Sequence, residues 1–166
     1  MRYRVTSGTL TVHARSRIHD TTTVWNRITG EIVADPDTLA SAGATARFEV
    51  DMTAFDAGDF LKNRKLRKDF DLAGHPTASF ALERLTGVVR DGPNFTATAE
   101  GVLRWRGRTL GLVLEGRGKL DDMGVSASAT FDLDIRKLGL SAPRFFVFKI
   151  EDEVTVRVAI QGAVAT

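Results

Sequence analysis

The chain contains no cysteine, which excludes disulfides, thiolate metal sites and a cysteine nucleophile. It has no apolar run approaching the roughly 20 residues that a membrane-spanning helix needs. Nor does Met1–Ser16 hold the uninterrupted apolar core of a secretory leader, because polar and apolar residues alternate almost at once. A cytoplasmic protein without stable membrane insertion is therefore expected. Charge of one sign is scarce too: a formal net charge of +2 gives no reason to expect nucleic acid as a partner.

Catalytic spacing is also missing. His13 and His19 share a strand face but stand about 20 Å apart at ~3.3 Å per residue, too far to share a metal, and His75 precedes Pro76 at a strand entrance. His19-Asp20 has no G-x-S-x-G nucleophile elbow to accompany it, and the glycines from Gly111 to Gly118 lack the Lys-Ser/Thr of a phosphate loop. No metal, no cofactor and no enzymatic role is expected.

What the chain does have is alternation. With 43% apolar and 27% charged residues in 166, it reads as one globular domain, 1–166. Period-two runs place Leu10, Val12, Ala14, Ser16 and Ile18 on one face, then Val24, Asn26, Ile28, Gly30, Ile32 and Ala34 against Trp25, Arg27 and Thr29. Further runs begin at Ala46, Ala78, Phe95, Leu110, Val125 and Val154, the last ending near Val164. Asp91-Gly92-Pro93-Asn94, Arg106-Gly107-Arg108 and Asp121-Asp122-Met123-Gly124 supply turns.

Eight alternating runs with short connections predict antiparallel pairing, since parallel strands need long crossovers. A two-sheet sandwich and a closed barrel both fit the period, and the length of the runs suits the barrel better. Many inward positions are small, among them Ala14, Ala97, Gly101, Gly116, Gly118 and Ala129. Either the glycines relieve strand coiling while Phe48, Phe80, Phe95 and Phe131 fill the volume, or the interior is an elongated apolar cavity.

One long segment, Asp51 to Phe80, breaks the pattern. Lys62, Arg64, Lys65, Arg67 and Lys68 lie among Phe60, Leu61, Leu66 and Phe70, which predicts a short amphipathic helical insertion around residues 54–72 that stops before His75-Pro76. The basic cluster is either a solvated helix face or a holder for an anionic head group through charge-assisted hydrogen bonds. A second irregular stretch carries Phe145, Phe146 and Phe148, read as a plug or small satellite core, or as an apolar lid at a cavity mouth.

In this order of parts the chain resembles the YceI-like family of lipocalin-like, polyisoprenoid-binding proteins. The resemblance rests on Arg27-Ile28-Thr29-Gly30-Glu31-Ile32, on Phe55-Asp56-Ala57-Gly58 leading into the charged helix, and above all on Lys68-Asp69-Phe70-Asp71-Leu72 with His75-Pro76-Thr77-Ala78-Ser79-Phe80. Phe95 to Leu103 with Arg106-Gly107-Arg108-Thr109 is similar to the family's later hairpin. The stretch His13-Ala14-Arg15-Ser16-Arg17-Ile18 is more polar than the family's usual early strand.

The resemblance implies an all-β, extended eight-stranded antiparallel lipocalin-like barrel that takes a long isoprenoid chain. The expected ligand is thus an isoprenoid lipid or quinone, in a tunnel lined by Val12, Ala14, Phe48, Phe80, Phe95, Ala97, Leu112, Ala129 and Phe131. Arg64, Lys65, Phe145 and Phe146 are expected at the head group or mouth. Burying such a tail gains about 0.8 kcal/mol per methylene-sized group, a non-directional force. A filled barrel that docks partners through its basic insertion is the alternative, an isomerase or cyclase using the barrel as a dry vessel is a third, and a homodimer is left open.

Overall fold

The computed structural model describes residues 1–16, 20–140 and 151–166 throughout, and the backbone of 144–145 and 148–149. The chain runs β1 (Arg2–Ala14), β2 (Thr21–Trp25), β3 (Ile28–Ala34), α1 (Leu39–Ala42), β4 (Ala44–Asp51), β5 (Phe55–Asp56) and α2 (Phe60–Asp69). Then come β6 (Thr77–Asp91), β7 (Asn94–Trp105), β8 (Arg108–Leu120), β9 (Gly124–Asp134), a 3-10 helix (Ile135–Leu138), a short hairpin of β10 (Arg144–Phe145) with β11 (Phe148–Lys149), and β12 (Glu153–Val164).

The ladder order is β12-β9-β8-β7-β6-β4-β3-β1, every pairing antiparallel, and β12 pairs with β1 to close it. β2 and β3 lie along one edge of β1: Leu10–Ala14 pairs with β2, and Arg2–Arg4 pairs with β3. Together they act as one bent strand, so the wall is an eight-stranded barrel. Strands of 12 to 15 residues, at ~3.3 Å per residue and tilted about 40°, give a barrel about 30 Å tall.

Alternation explains most of the wall. In β12, Val154, Val156 and Ile160 are buried while Glu153, Arg157 and Gln161 are exposed. The bend between β2 and β3 corrects one expectation. The ladder breaks at Asn26-Arg27, the period shifts there, and Trp25 turns inward with Ile28 and Ile32 instead of opposing them. β6 has register shifts after Leu82 and Thr86, and so carries Leu85 to the inside after Leu82.

The two ends differ. At one, which we call the helical end, α2 covers the barrel. Asp59 caps the helix by accepting from the Lys62 N–H at 2.8 Å, and Leu66 packs with Trp25, Met52, Leu72 and Trp105. Trp25 Nε1 donates to the Met52 carbonyl at 3.1 Å and Trp105 Nε1 to the His75 carbonyl at 2.9 Å, so both indoles are buried with their donors satisfied. α2 ends at Asp69, and Asp71 adopts a positive φ of 46° as the chain turns back towards β6. At the opposite end Tyr3, fully buried, packs with Leu39, Leu120 and Val125.

Tyr3 Oη donates to the Asp121 carbonyl at 2.7 Å, tying the first strand to the β8–β9 turn. Burial, with the carboxylates of Asp122, Asp121 and Asp35, pushes the Tyr3 phenol up and keeps it a donor. Tyr3→Phe leaves that carbonyl without its partner and is expected to lower stability by about 1 kcal/mol, read from the urea midpoint at unchanged slope. An unchanged midpoint would show that this bond adds nothing net.

Candidate functional site: an apolar cavity through the barrel

The inward faces do not meet in the middle. They enclose a cavity of about 320 Å³, at the lower end of the roughly 300–1,000 Å³ usual for small-molecule sites. It runs from Leu39 and Leu120 at the Tyr3 end to Phe70, Trp105 and Leu138 at the helical end. Ser79, Arg117 and Ser128 also border it, but at strand positions whose side chains alternate outward. Among the described residues the cavity therefore offers hydrocarbon contact and almost no polar partner.

The space has a specific origin. Ala97 pairs with Gly116, Gly116 with Ala129, Ala129 with Val158, and Val158 with Leu10, all of them on the cavity wall. Three successive strands thus present a methyl group or nothing at one level. A Cβ built on Gly116 would meet only backbone oxygens, the nearer at 3.7 Å. Other glycines do the reverse. Gly101 lies under the Phe80 ring, 2.3 Å from where its Cβ would be, and Gly30 lies against Phe48 at 2.7 Å. Both sequence readings of the small residues therefore hold, at different levels of the barrel.

Val12, Phe48, Phe80, Phe95, Ala97, Leu112, Ala129 and Phe131 all lie on the cavity wall, as expected from their faces. Ala14 does not: it stands at the end of β1 and packs on the helical-end cluster, beyond the reach of the cavity. The liners that the alternation missed include Leu85, Leu138 and Leu140 and three more. Trp25 was hidden by the shift of period, Leu39 sits in α1 outside any strand pattern, and Phe70 follows the charged helix.

Arg64 and Lys65 point away from the cavity. Arg64 is exposed, and Lys65 Nζ pairs with Asp69 at 2.9 Å across one helical turn. The Arg67 guanidinium sits 5.3 Å from the Phe55 ring centroid. The Phe145 side chain and all of Phe146 lie outside the described residues, as does His19. His13 is held on the outside by Thr22 and Asp20, each at 3.1 Å. Among the described residues no group of three His, Asp or Glu side chains is placed to hold a metal ion.

β8 and β9 pair only from Gly116 with Ala129 to Leu120 with Val125. Towards the helical end that ladder stops, and the 3-10 helix packs against β8. Asp134 starts that helix, accepting from the Arg136 N–H at 3.0 Å and pairing with the Arg136 guanidinium at 2.7 Å. Those two hydrogen bonds, the side-chain one first, hold the Asp134 carboxyl at about 2 instead of the ordinary 3.8. Ile135, Leu138 and Leu140 are thereby buried along the cavity.

An eight-stranded antiparallel barrel around an elongated apolar cavity defines a lipocalin-like fold. The model of the YceI-like domain matches residues 3–162, and the chain belongs to the YceI-like family. Its fold is similar to a polyisoprenoid binding domain from Saccharophagus degradans, implicated in plant cell wall breakdown, at TM-score 0.79 and 13% identity over 98% of both chains. BcnA of Burkholderia cenocepacia is similar at TM-score 0.74 and 17% identity over 96% of both. The YceI protein of Campylobacter jejuni is similar at TM-score 0.69 and 14% identity over 90% of this chain and 88% of that one. No curated protein matches the sequence.

Two tests follow from this geometry. Gly116→Leu places a side chain in the cavity and is expected to leave the urea midpoint unchanged or higher while weakening uptake of an apolar fluorophore such as N-phenyl-1-naphthylamine by about ten-fold or more. Gly118→Leu is the contrast, since its Cβ would lie 1.9 Å from the Ser126 oxygen and the wall itself must move. Equal uptake by wild type and Gly116→Leu would place the bound probe elsewhere. For the 3-10 helix, the lowered Asp134 value means a stabilisation complete above the unfolded value of 3.8 and lost as pH falls through about 2. The urea midpoints of wild type and Asp134→Asn should therefore converge between about pH 4 and about pH 2, and a gap independent of pH would show that the ion pair is not its source.

Proposed function

We propose that the barrel binds and carries one long apolar ligand, an isoprenoid lipid or isoprenoid quinone, with its tail along the cavity. The observation that carries this reading is the continuous apolar lining, widened at Ala97, Gly116 and Ala129. The polyisoprenoid binding domain with the same fold supports the ligand class. Val12, Phe48, Phe80, Phe95, Leu112 and Phe131 make the hydrophobic contacts, and the polar end of the ligand lies outside the apolar lining. The energy is burial at about 0.8 kcal/mol per methylene-sized group, less the entropy of holding the chain straight. Selectivity then comes from the shape of the cavity rather than from hydrogen bonds. The role is one of binding; the reading uses no catalytic group.

Native mass spectrometry of the purified protein, followed by organic extraction, tests it. A stoichiometric apolar adduct identified as a polyprenyl lipid or quinone is expected. A clean apo mass that gains nothing when such lipids are added would overturn the reading and favour a protein-interaction module working through α2.

A further inference from the structure

The outer face of α2 carries an apolar pair that the described residues leave exposed. Phe60 is 75% exposed and Leu61 66% exposed, side by side in the first turn after the Asp59 cap. The helix cannot roll to bury them. Its inner face is fixed by Leu66 in the helical-end core, by Asn63 accepting from the Ala57 N–H, and by the chain continuing into Phe70 at the cavity. Arg64 follows Phe60 by one turn and Lys65 follows Leu61, with Lys68 beyond. Asp59 and Asp69, the acidic residues of this segment, are already engaged as the helix cap and as the partner of Lys65.

Charge is also divided along the barrel axis. The connections at the Tyr3 end, residues 35–43, 92–93 and 121–123, contain Asp35, Asp37, Asp121 and Asp122 and no Lys or Arg. At the helical end the connecting segments 52–76 and 106–107 carry Lys62, Arg64, Lys65, Arg67, Lys68 and Arg106 against Asp56, Asp59, Asp69 and Asp71, with Arg106 donating to the Phe70 carbonyl. In an external field such a molecule turns its helical end towards negative charge. An exposed aromatic and aliphatic pair with a basic surround is the chemistry of reversible binding to a bilayer interface, where apolar groups enter the acyl boundary and Lys and Arg meet anionic head groups.

We propose that the helical end docks reversibly on an anionic lipid bilayer, with Phe60 and Leu61 entering the interface and Arg64, Lys65 and Lys68 on the head groups. Docking in this pose places the cavity end lined by Phe70 against the bilayer. This inference concerns the outer surface and stands whatever the cavity carries.

Sedimentation of the full chain with vesicles of phosphatidylglycerol and phosphatidylcholine, against phosphatidylcholine alone, is the first measurement. Binding to the anionic vesicles only is expected. Phe60→Ser with Leu61→Ser, and separately Arg64→Glu with Lys68→Glu, should each weaken it by about ten-fold or more, since each basic residue near the surface contributes about five-fold. All four side chains are on the outer face, and circular dichroism checks that the fold is kept. Orientation is read with two probes at opposite ends, Phe60→Trp and Met123→Trp, Met123 being 83% exposed in the β8–β9 turn. Vesicles should blue-shift the first emission and leave the second unchanged. No sedimentation, or equal shifts at both ends, would overturn the proposal. So would binding that survives Phe60→Ser with Leu61→Ser and is competed away by polyglutamate, which would make the surface a reader of acidic polymers.

Discussion

Closure of the barrel by β12 on β1 is the constraint on which the rest depends. Tyr3 to Ala14 meets Val164 to Val154 in one long ladder, and that pairing closes the wall, which stays split where the β8–β9 ladder stops towards the helical end. Once the backbone groups are satisfied within the wall, the interior need hold no polar group. The wall then stands without a completely filled core, which is how Ala97, Gly116 and Ala129 can face space. A sandwich of the same strands would have to press its two inner faces together to be stable.

Much of this was legible in the alternation because each strand buries one face only. β7, β8, β9 and β12 keep one period from end to end, and their inward residues follow from the sequence directly. The period fails where the backbone inserts a residue. Asn26-Arg27 turns Trp25 inward, and the shifts in β6 move Leu85 into phase with the interior. Gly87, at a positive φ of 58°, marks the second of the β6 shifts, whereas Asn26-Arg27 and the shift after Leu82 satisfy the geometry of neighbouring strands rather than a preference of their own. Ala14 shows the complementary limit: a residue can face inward and still lie past the end of the cavity. The site residues carried by the basic cluster were read less well, because which side of α2 faces the barrel is settled by Leu66 and Asn63, not by the charges.

The glycines show why composition alone could not distinguish a hollow barrel from a filled one. Gly101 and Gly30 are seats for Phe80 and Phe48, where a large ring on one strand uses the room left by its neighbour. Gly116 is flanked across the ladder by two alanines, so no ring reaches it. What matters is the partner in register. Pairing across strands, invisible in a linear sequence, converts the same residue type into packing at one level and into volume at another.

The ends differ in a way that bears on how a ligand would enter. At the Tyr3 end the fully buried phenol is bonded to the Asp121 carbonyl and packed with Leu39 and Leu120, so opening there would expose a satisfied polar group together with its apolar surround. At the helical end Leu110, Phe131, Leu133 and Phe70 are only half-buried, and the β8–β9 ladder has already stopped. Displacement there breaks side-chain packing and few ladder hydrogen bonds, which makes it the less costly route. The end that opens more easily is also the end with the exposed apolar pair and the positive charge. An apolar chain passing through it from a bilayer would leave one hydrocarbon phase for another with little of its length in water, which removes most of the barrier that hydration would otherwise impose.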